Sequence, residues 1–379
     1  MAGTGFDGRS PFGDFGTRHP PCSPARFARA LAGFGSGYRS RPRNRQPEPI
    51  RTCIRYQDWI AERGRVAFRP RLCQRGRVTS QPPQCLPGTD VIDLIGESGK
   101  DLDAYFDRRE FEIRSWLEDQ HYWHRYRKTV ILQVLRGHCP DGSRPLVDLG
   151  CGAGVVATYL NQHGYRVDYA DVHTEALHVA RQRFQATLGT QAPAPRFIRV
   201  DITRSFPVDD YHGYLLLDVL EHLPDDVAVM RALHGRMRDT AARRAQTGCC
   251  REDRDFVLLT LPAFPALWSP WDDLEKHKRR YTLATARRLC EQAGFEVIRT
   301  TCFFFPLFFA AVAVKAVRLA GRKLGGRIAP AGAITDLAEG KTSRGLSGLV
   351  LGLLAPERGW LRYGNLPLGT SILVLAHPR

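Results

Sequence analysis

Between Asp148 and Gly154 an acid is followed by glycines at alternate positions, in the order Asp148-Leu149-Gly150-Cys151-Gly152-Ala153-Gly154. Three glycines in five residues let a backbone turn sharply and bring its N–H groups close to a ligand. A helix beginning just beyond would leave further N–H groups without intrahelical partners. Asp171 stands 21 residues after Gly150, the distance at which an acid ending a second strand accepts hydrogen bonds from both hydroxyls of a ribose. The same acid could instead N-cap a helix starting near Thr174. The chemistry implied is a cradle for a nucleoside-containing cofactor.

Such a cradle needs a strand ending at the turn and a helix leaving it. Leu146, Val147 and Leu149 form the short apolar run that a parallel strand buries on both faces. A helix is expected over 155–163, closed by Gly164. Strand and helix signals then alternate: strand 165–171, helix 174–188 stopped by Gly189, strand 196–200 ending at Asp201, strand 213–220, helix 227–244 and strand 255–261. A helix over 283–293, capped by Thr282 and ended by Gly294, precedes a strand starting at Phe295. The expected class is α/β, with helices on both faces of a largely parallel sheet. Ahead of the first strand, helical spacing over 101–138 predicts two helices, the second carrying His121, Trp123, Arg125 and Arg127.

Composition bounds the partners. The chain of 379 residues has a net charge of +16, enough length for one large core with additions. Sixteen arginines and five acids fall in residues 1–88, so the basicity belongs mostly to that Arg/Pro/Gly-rich stretch, which is expected to be disordered. Residues 89–379 carry little excess charge, which makes nucleic acid an unlikely substrate. Ten cysteines show no metal-ligand spacing, and they read as free thiols in a reducing cytosol. No metal site is expected, and Cys151 reads as a small filler in the turn.

A dinucleotide fingerprint would need a small residue at 155, but Val155 stands there and the third glycine comes one residue early. The Asp148-x-Gly150-x-Gly152-x-Gly154 pattern resembles motif I of the class I methyltransferases that use S-adenosyl-L-methionine (SAM). The string Asp218-Val-Leu-Glu-His-Leu223 is similar to the end of strand four in small-molecule enzymes of the ubiquinone type. The resemblance implies a Rossmann-like sheet of seven strands, the last, over 366–376, antiparallel between strands five and six. It implies SAM held by Asp148, Gly150, Gly152, Gly154, Asp171, Val172 and Asp218, with Asp201 accepting from the adenine amino group and Ile202 beside the ring. It implies that the helix before the first strand caps the cofactor, where an arginine could meet the methionyl carboxylate. The motif that clamps a flipped nucleobase after strand four is absent.

The segment from Trp268 to Thr282 resembles one ending H-x-R-R-Y-T in a bacterial branch of these enzymes, lying over the substrate mouth. Trp268 and Trp271 could wall an apolar substrate there, with His277, Arg279 and Arg280 at an anionic group such as phosphate. Alternatively the segment is a structural lid whose arginines face water. For a hydroxyl acceptor, His222 and His277 are the candidate general bases.

Residues 303–314 are uncharged and strongly apolar but end at Lys315, short of the roughly 20 residues that span a bilayer. The 306–364 insertion therefore reads either as a lid over the substrate or, over 306–324, as a helix in peripheral contact with a membrane surface. The expected organisation is an extension over 1–88, capping helices over 89–140, the SAM-binding core over 141–305, the insertion over 306–364 and the last strand over 365–379. The expected function is SAM-dependent methylation of a small-molecule or lipid-linked acceptor, in the cytoplasm or at the inner face of its membrane. Two alternatives are an NAD(P)-dependent Rossmann oxidoreductase and a non-catalytic SAM-binding module.

Overall fold

The computed structural model describes residues 84–86, 89–96, 118–189, 194–246, 254–323 and 344–379. Residues 1–83 and the first helix expected over 101–138 lie outside them. The chain enters its sheet through two short edge strands, β1 (Gln84–Cys85) and β2 (Ile92–Asp93). Helix α1 (Tyr122–His138) leads into β3 (Pro145–Leu149), α2 (Val155–Gln162), β4 (Arg166–Asp171), α3 (Thr174–Leu188) and β5 (Phe197–Arg199). Then come β6 (Gly213–Leu217), α4 (Asp226–Gln246), β7 (Phe256–Pro262), a short α5 (Pro270–Leu274), α6 (Leu283–Gln292) and β8 (Phe295–Phe303). Helices α7 (Phe305–Lys323) and α8 (Arg344–Trp360) precede the last strand, β9 (Ser371–Pro378).

The sheet order is β1-β2-β5-β4-β3-β6-β7-β9-β8. The strands β3 to β7 pair in parallel, and β9 lies antiparallel between β7 and β8, as expected. Alternation along each strand feeds two cores. Leu146, Leu215 and Leu258 pack under α1, α2, α3 and α8, whereas Val147, Leu216 and Leu259 pack under α4 and α6.

Two differences from expectation concern the ends of the sheet. Gln84–Cys85, assigned to the extension, and Ile92–Asp93, assigned to the capping helices, instead form β1 and β2 on the free edge of β5. An open edge leaves N–H and C=O groups unpaired, and here Leu94 N–H donates to Arg199 O at 2.9 Å while Val91 is fully buried. Among the described residues the sheet therefore has nine strands where seven were expected. The described parts of the insertion are mostly helical: α8 packs on α1, and Glu357 accepts hydrogen bonds from Tyr126 Oη at 3.0 Å and from the N–H groups of Phe304 and Phe305 at 2.6 Å. Phe304 has φ 65°, so this buried carboxylate fastens a left-handed turn between β8 and α7.

Candidate functional site

β3 is the switch point of the sheet, paired with β4 on one side and β6 on the other. Ligands of open α/β sheets bind at the carboxyl ends of strands at such a point. The glycine turn leaves β3 there, with φ 80° at Gly150, 53° at Gly152 and 70° at Gly154. The outer two glycines are needed for packing: a Cβ would lie 2.7 Å from Val219 at position 150 and 2.7 Å from Ala180 at position 154. At Gly152 a Cβ would meet nothing within 4 Å. Its backbone faces open space, and its N–H donates to Asp171 Oδ2 at 2.9 Å.

Asp171 closes β4, is 7% exposed, and also accepts from His173 N–H at 2.9 Å and His173 Nδ1 at 3.1 Å. Burial raises its pKa, but the hydrogen bonds from His173 and Gly152 outweigh that and hold it below the usual carboxylate value. The N-cap of α3 is His173 rather than Asp171, so the acid secures the turn instead of the helix. A carboxylate has about four acceptor directions, and three are used. Val172 follows at the mouth of β4.

Asp148 is 2% exposed, and its Oδ1 has no hydrogen-bond partner among the described residues. Burial lifts its carboxyl to about 7, against the pull of Arg127 and with added repulsion from Asp171. Arg127, on α1, is buried, pairs with Asp218 at 2.6 Å and donates to Thr260 Oγ1 at 3.2 Å. Asp218 follows β6 with φ 58°, a left-handed conformation that costs a non-glycine residue about 1 kcal/mol or more. Asp201, beyond β5, accepts from Thr203 N–H at 3.0 Å and from Thr203 Oγ1 at 2.6 Å, with Ile202 buried beside it. The carboxyl ends of four adjacent strands thus carry the residues expected at the cofactor.

Beyond Asp218, two acids that the sequence reading passed over organise the neighbourhood. Glu221 is fully buried, and neither carboxylate oxygen has a hydrogen-bond partner among the described residues. Burial, then the charge of Asp218, pushes its carboxyl well above the ordinary range. Glu221, His222 and His277 each offer a ligating atom, all within 4.8 Å of one another, and the two imidazole rings meet edge to face at 4.8 Å. This trio can hand on a proton, and the same donor set suits a divalent cation. The second acid is Asp272, fully buried at the start of α5. It accepts from Ser269 N–H at 2.8 Å, His277 Nδ1 at 2.9 Å, Arg280 Nε at 2.7 Å and Arg280 Nη2 at 2.9 Å. Its carboxyl is held far below the usual range: burial raises it, and the bonds from His277 and Arg280 more than reverse that. The ionised acceptor makes Nδ1 of His277 the donor, which leaves Nε2 as the basic nitrogen.

Arg279 and Arg280, expected at a substrate anion, are engaged elsewhere. Arg279 pairs with Asp226 at 2.7 Å and donates to Pro224 O at 2.7 Å, and Arg280 clamps Asp272 and donates to Ala263 O at 3.0 Å. Through these contacts the pair fixes the segment. Trp268 donates through Nε1 to Asp273 at 3.0 Å, and Trp271 is 43% exposed. Burial keeps the Cys151 thiol well above its ordinary pKa, which suits a filler and not a nucleophile.

A family model described as a methyltransferase domain matches residues 147–242, the stretch from β3 through most of α4. The ubiquinone biosynthesis O-methyltransferase of Albidiferax ferrireducens is 29% identical over 103 residues, covering 27% of this chain and 40% of that protein. Its counterpart from Aeromonas salmonicida is 25% identical over 152 residues, covering 40% and 63% respectively. The chain therefore spans less than two thirds of the length of these relatives. Among solved structures, magnesium protoporphyrin IX methyltransferase from Synechocystis with bound S-adenosylhomocysteine is 19% identical, covers 47% of this chain and 75% of that one, and has a TM-score of 0.37.

Proposed function

We propose that this chain, a class I SAM-dependent methyltransferase, transfers the methyl group of SAM to a small-molecule acceptor. The observation that carries the reading is the open backbone face of Gly152, bonded to the carboxylate of Asp171, on the turn that follows Asp148, whose buried Oδ1 has no partner among the described residues. The residues present fit the cofactor. Asp171 retains one acceptor direction for a ribose hydroxyl, and Asp201 and Ile202 are the candidates for the adenine ring. Asp148, Asp218 and Glu221 all lie within the field of Arg127, and Asp171 adds negative charge near Asp148, a cluster of carboxyls that suits a ligand carrying sulfonium and ammonium charges. When bound, SAM supplies a methyl group already activated by its sulfonium. The protein then has to align the acceptor, keep water out and receive a proton. His277 is our candidate for that proton, because Asp272 fixes its tautomer and His222 lies against its ring. Trp268 and Trp271 are candidates for an apolar wall. The names of the relatives support an O-methyl product, and the apolar insertion supports a lipid-linked acceptor met by peripheral contact through 306–324, on the cytoplasmic side of a membrane.

Transfer of labelled methyl from SAM into aqueous and lipid extracts tests the reading. Label in either fraction is expected, with the lipid fraction the richer; binding of SAM with no transfer to either would leave a binding module. Two further outcomes are expected. Gly152→Ala should cost about 1 to 2 kcal/mol of stability from its left-handed backbone, yet lower SAM affinity at least about tenfold, because the new methyl occupies the open face. An unchanged Kd by calorimetry would move the ligand away from Gly152. SAM affinity should also rise with pH through about 7, because a cationic ligand binds best once Asp148 has lost its proton. Calorimetry in buffers of different ionisation enthalpy should record that proton release, and Asp148→Asn should abolish it.

A further inference from the structure

Helices α7 and α8 are apolar on both sides. Their inner sides bury Leu307, Val314, Val350 and Leu354. Their outer sides expose Phe309 (51%), Val312 and Leu319 on α7, and Leu349 (72%), Leu353 and Trp360 on α8. The positions follow helical spacing, so each helix shows one continuous apolar stripe. The exposed positions of α7 from 309 to 320 include no charged or polar residue. Large exposed apolar faces mark interaction surfaces. No helix among the described residues is long and apolar enough to cross a membrane.

Charge selects the occupant. The described side chains of α7 include the basic Lys315 and Arg318 and no acid, α8 adds the exposed Arg358, and the one acid of α8, Glu357, is buried against Tyr126 and the turn at Phe304. A second copy of the chain would set these basic residues against their own kind. An anionic lipid surface complements them. Trp360 and Tyr363 (91% exposed) add aromatic rings of the kind that settle at headgroup level.

We propose that α7 and α8 together form a platform that lies in the headgroup region of an anionic bilayer, with their apolar stripes facing the acyl chains. The platform is tied to the site: Lys315 Nζ donates to Trp268 O at 3.2 Å, and the ring of Phe308 packs on that of Phe264 at 5.4 Å. Resting on the methyltransferase reading, this arrangement lets an apolar acceptor pass from the bilayer to the loop after β7 without crossing water.

The test is co-sedimentation of the full chain with phosphatidylcholine vesicles, with and without about one quarter phosphatidylglycerol. The salt is set at about 0.5 M, where attraction of the arginine-rich residues 1–88 is screened within a few ångströms. The wild-type protein is expected to stay on the anionic vesicles. The variant Phe309→Glu/Leu349→Glu/Leu353→Glu alters only exposed positions, so it should keep its SAM affinity while its vesicle partitioning falls at least about a hundredfold. Full release of the wild type by salt, or equal partitioning of the variant, would overturn the proposal. So would a wild-type dimer in vesicle-free solution that the variant splits, which would assign the face to a second copy. Vesicle binding without SAM binding would leave the platform standing and remove the methyltransferase reading instead.

Discussion

Asp272→Ala is expected to destabilise the protein by about 3 to 5 kcal/mol, the range for removing one partner of a buried ion pair. Asp272 is fully buried and accepts hydrogen bonds from Ser269, His277 and Arg280. Its loss strands the guanidinium of Arg280 and frees the imidazole of His277. Denaturant titration should show the loss at neutral pH. Because the folded-state pKa of Asp272 is depressed, the stability it brings is present above its unfolded value of about 3.9 and is lost as pH falls below it. The wild type should therefore weaken in strong acid, and the variant should lose that part of the acid dependence. Asp272→Asn keeps the shape and part of the hydrogen bonding, so it should fold better than the alanine variant. Methyl transfer by it should still be slowed, because the His277 tautomer is no longer fixed. Equal stability of wild type and Asp272→Ala would show that the segment is held by its backbone alone.

Asp171→Ala should weaken SAM binding by about 1 to 3 kcal/mol, or roughly tenfold to a hundredfold in Kd. Two losses combine there. Charge-assisted bonds to the ribose disappear, and the Gly152 N–H loses the acceptor that fixes the turn. Asp171→Asn, which retains an acceptor oxygen, should fall between the two. Calorimetric titration measures both, and an unchanged Kd would put the ribose acid elsewhere.

The parts of this molecule that were legible in its sequence are those whose physics is local. The glycine turn was readable because left-handed φ angles and close contacts at 150 and 154 demand glycine whatever surrounds them. The cap at Thr282 was readable because its bond with Thr285 spans only three residues. The antiparallel last strand came from the family resemblance and was found at Ser371–Pro378. Partnership across long sequence separations was not readable. The spacing that suggests Arg279 and Arg280 as anion ligands says nothing of their ion pairs with Asp226, at the start of α4, and the buried Asp272. Glu221 sat inside a quoted motif as an ordinary strand-end acid, and only its complete burial marks it out. A two-residue ladder such as β1 with β2 falls below any periodicity a sequence window can detect. Nor does spacing show that Glu357 turns inward to bind the start of α7.

In the proposed function the turn at Gly150–Gly154 and Asp171 hold SAM. Calorimetric titration of SAM, and separately of NAD(H), into the purified protein tests it most directly. One SAM per chain, weakened by Asp171→Ala and by Gly152→Ala, is the expected result. Tighter binding of NAD(H), or no binding of SAM, would contradict the account.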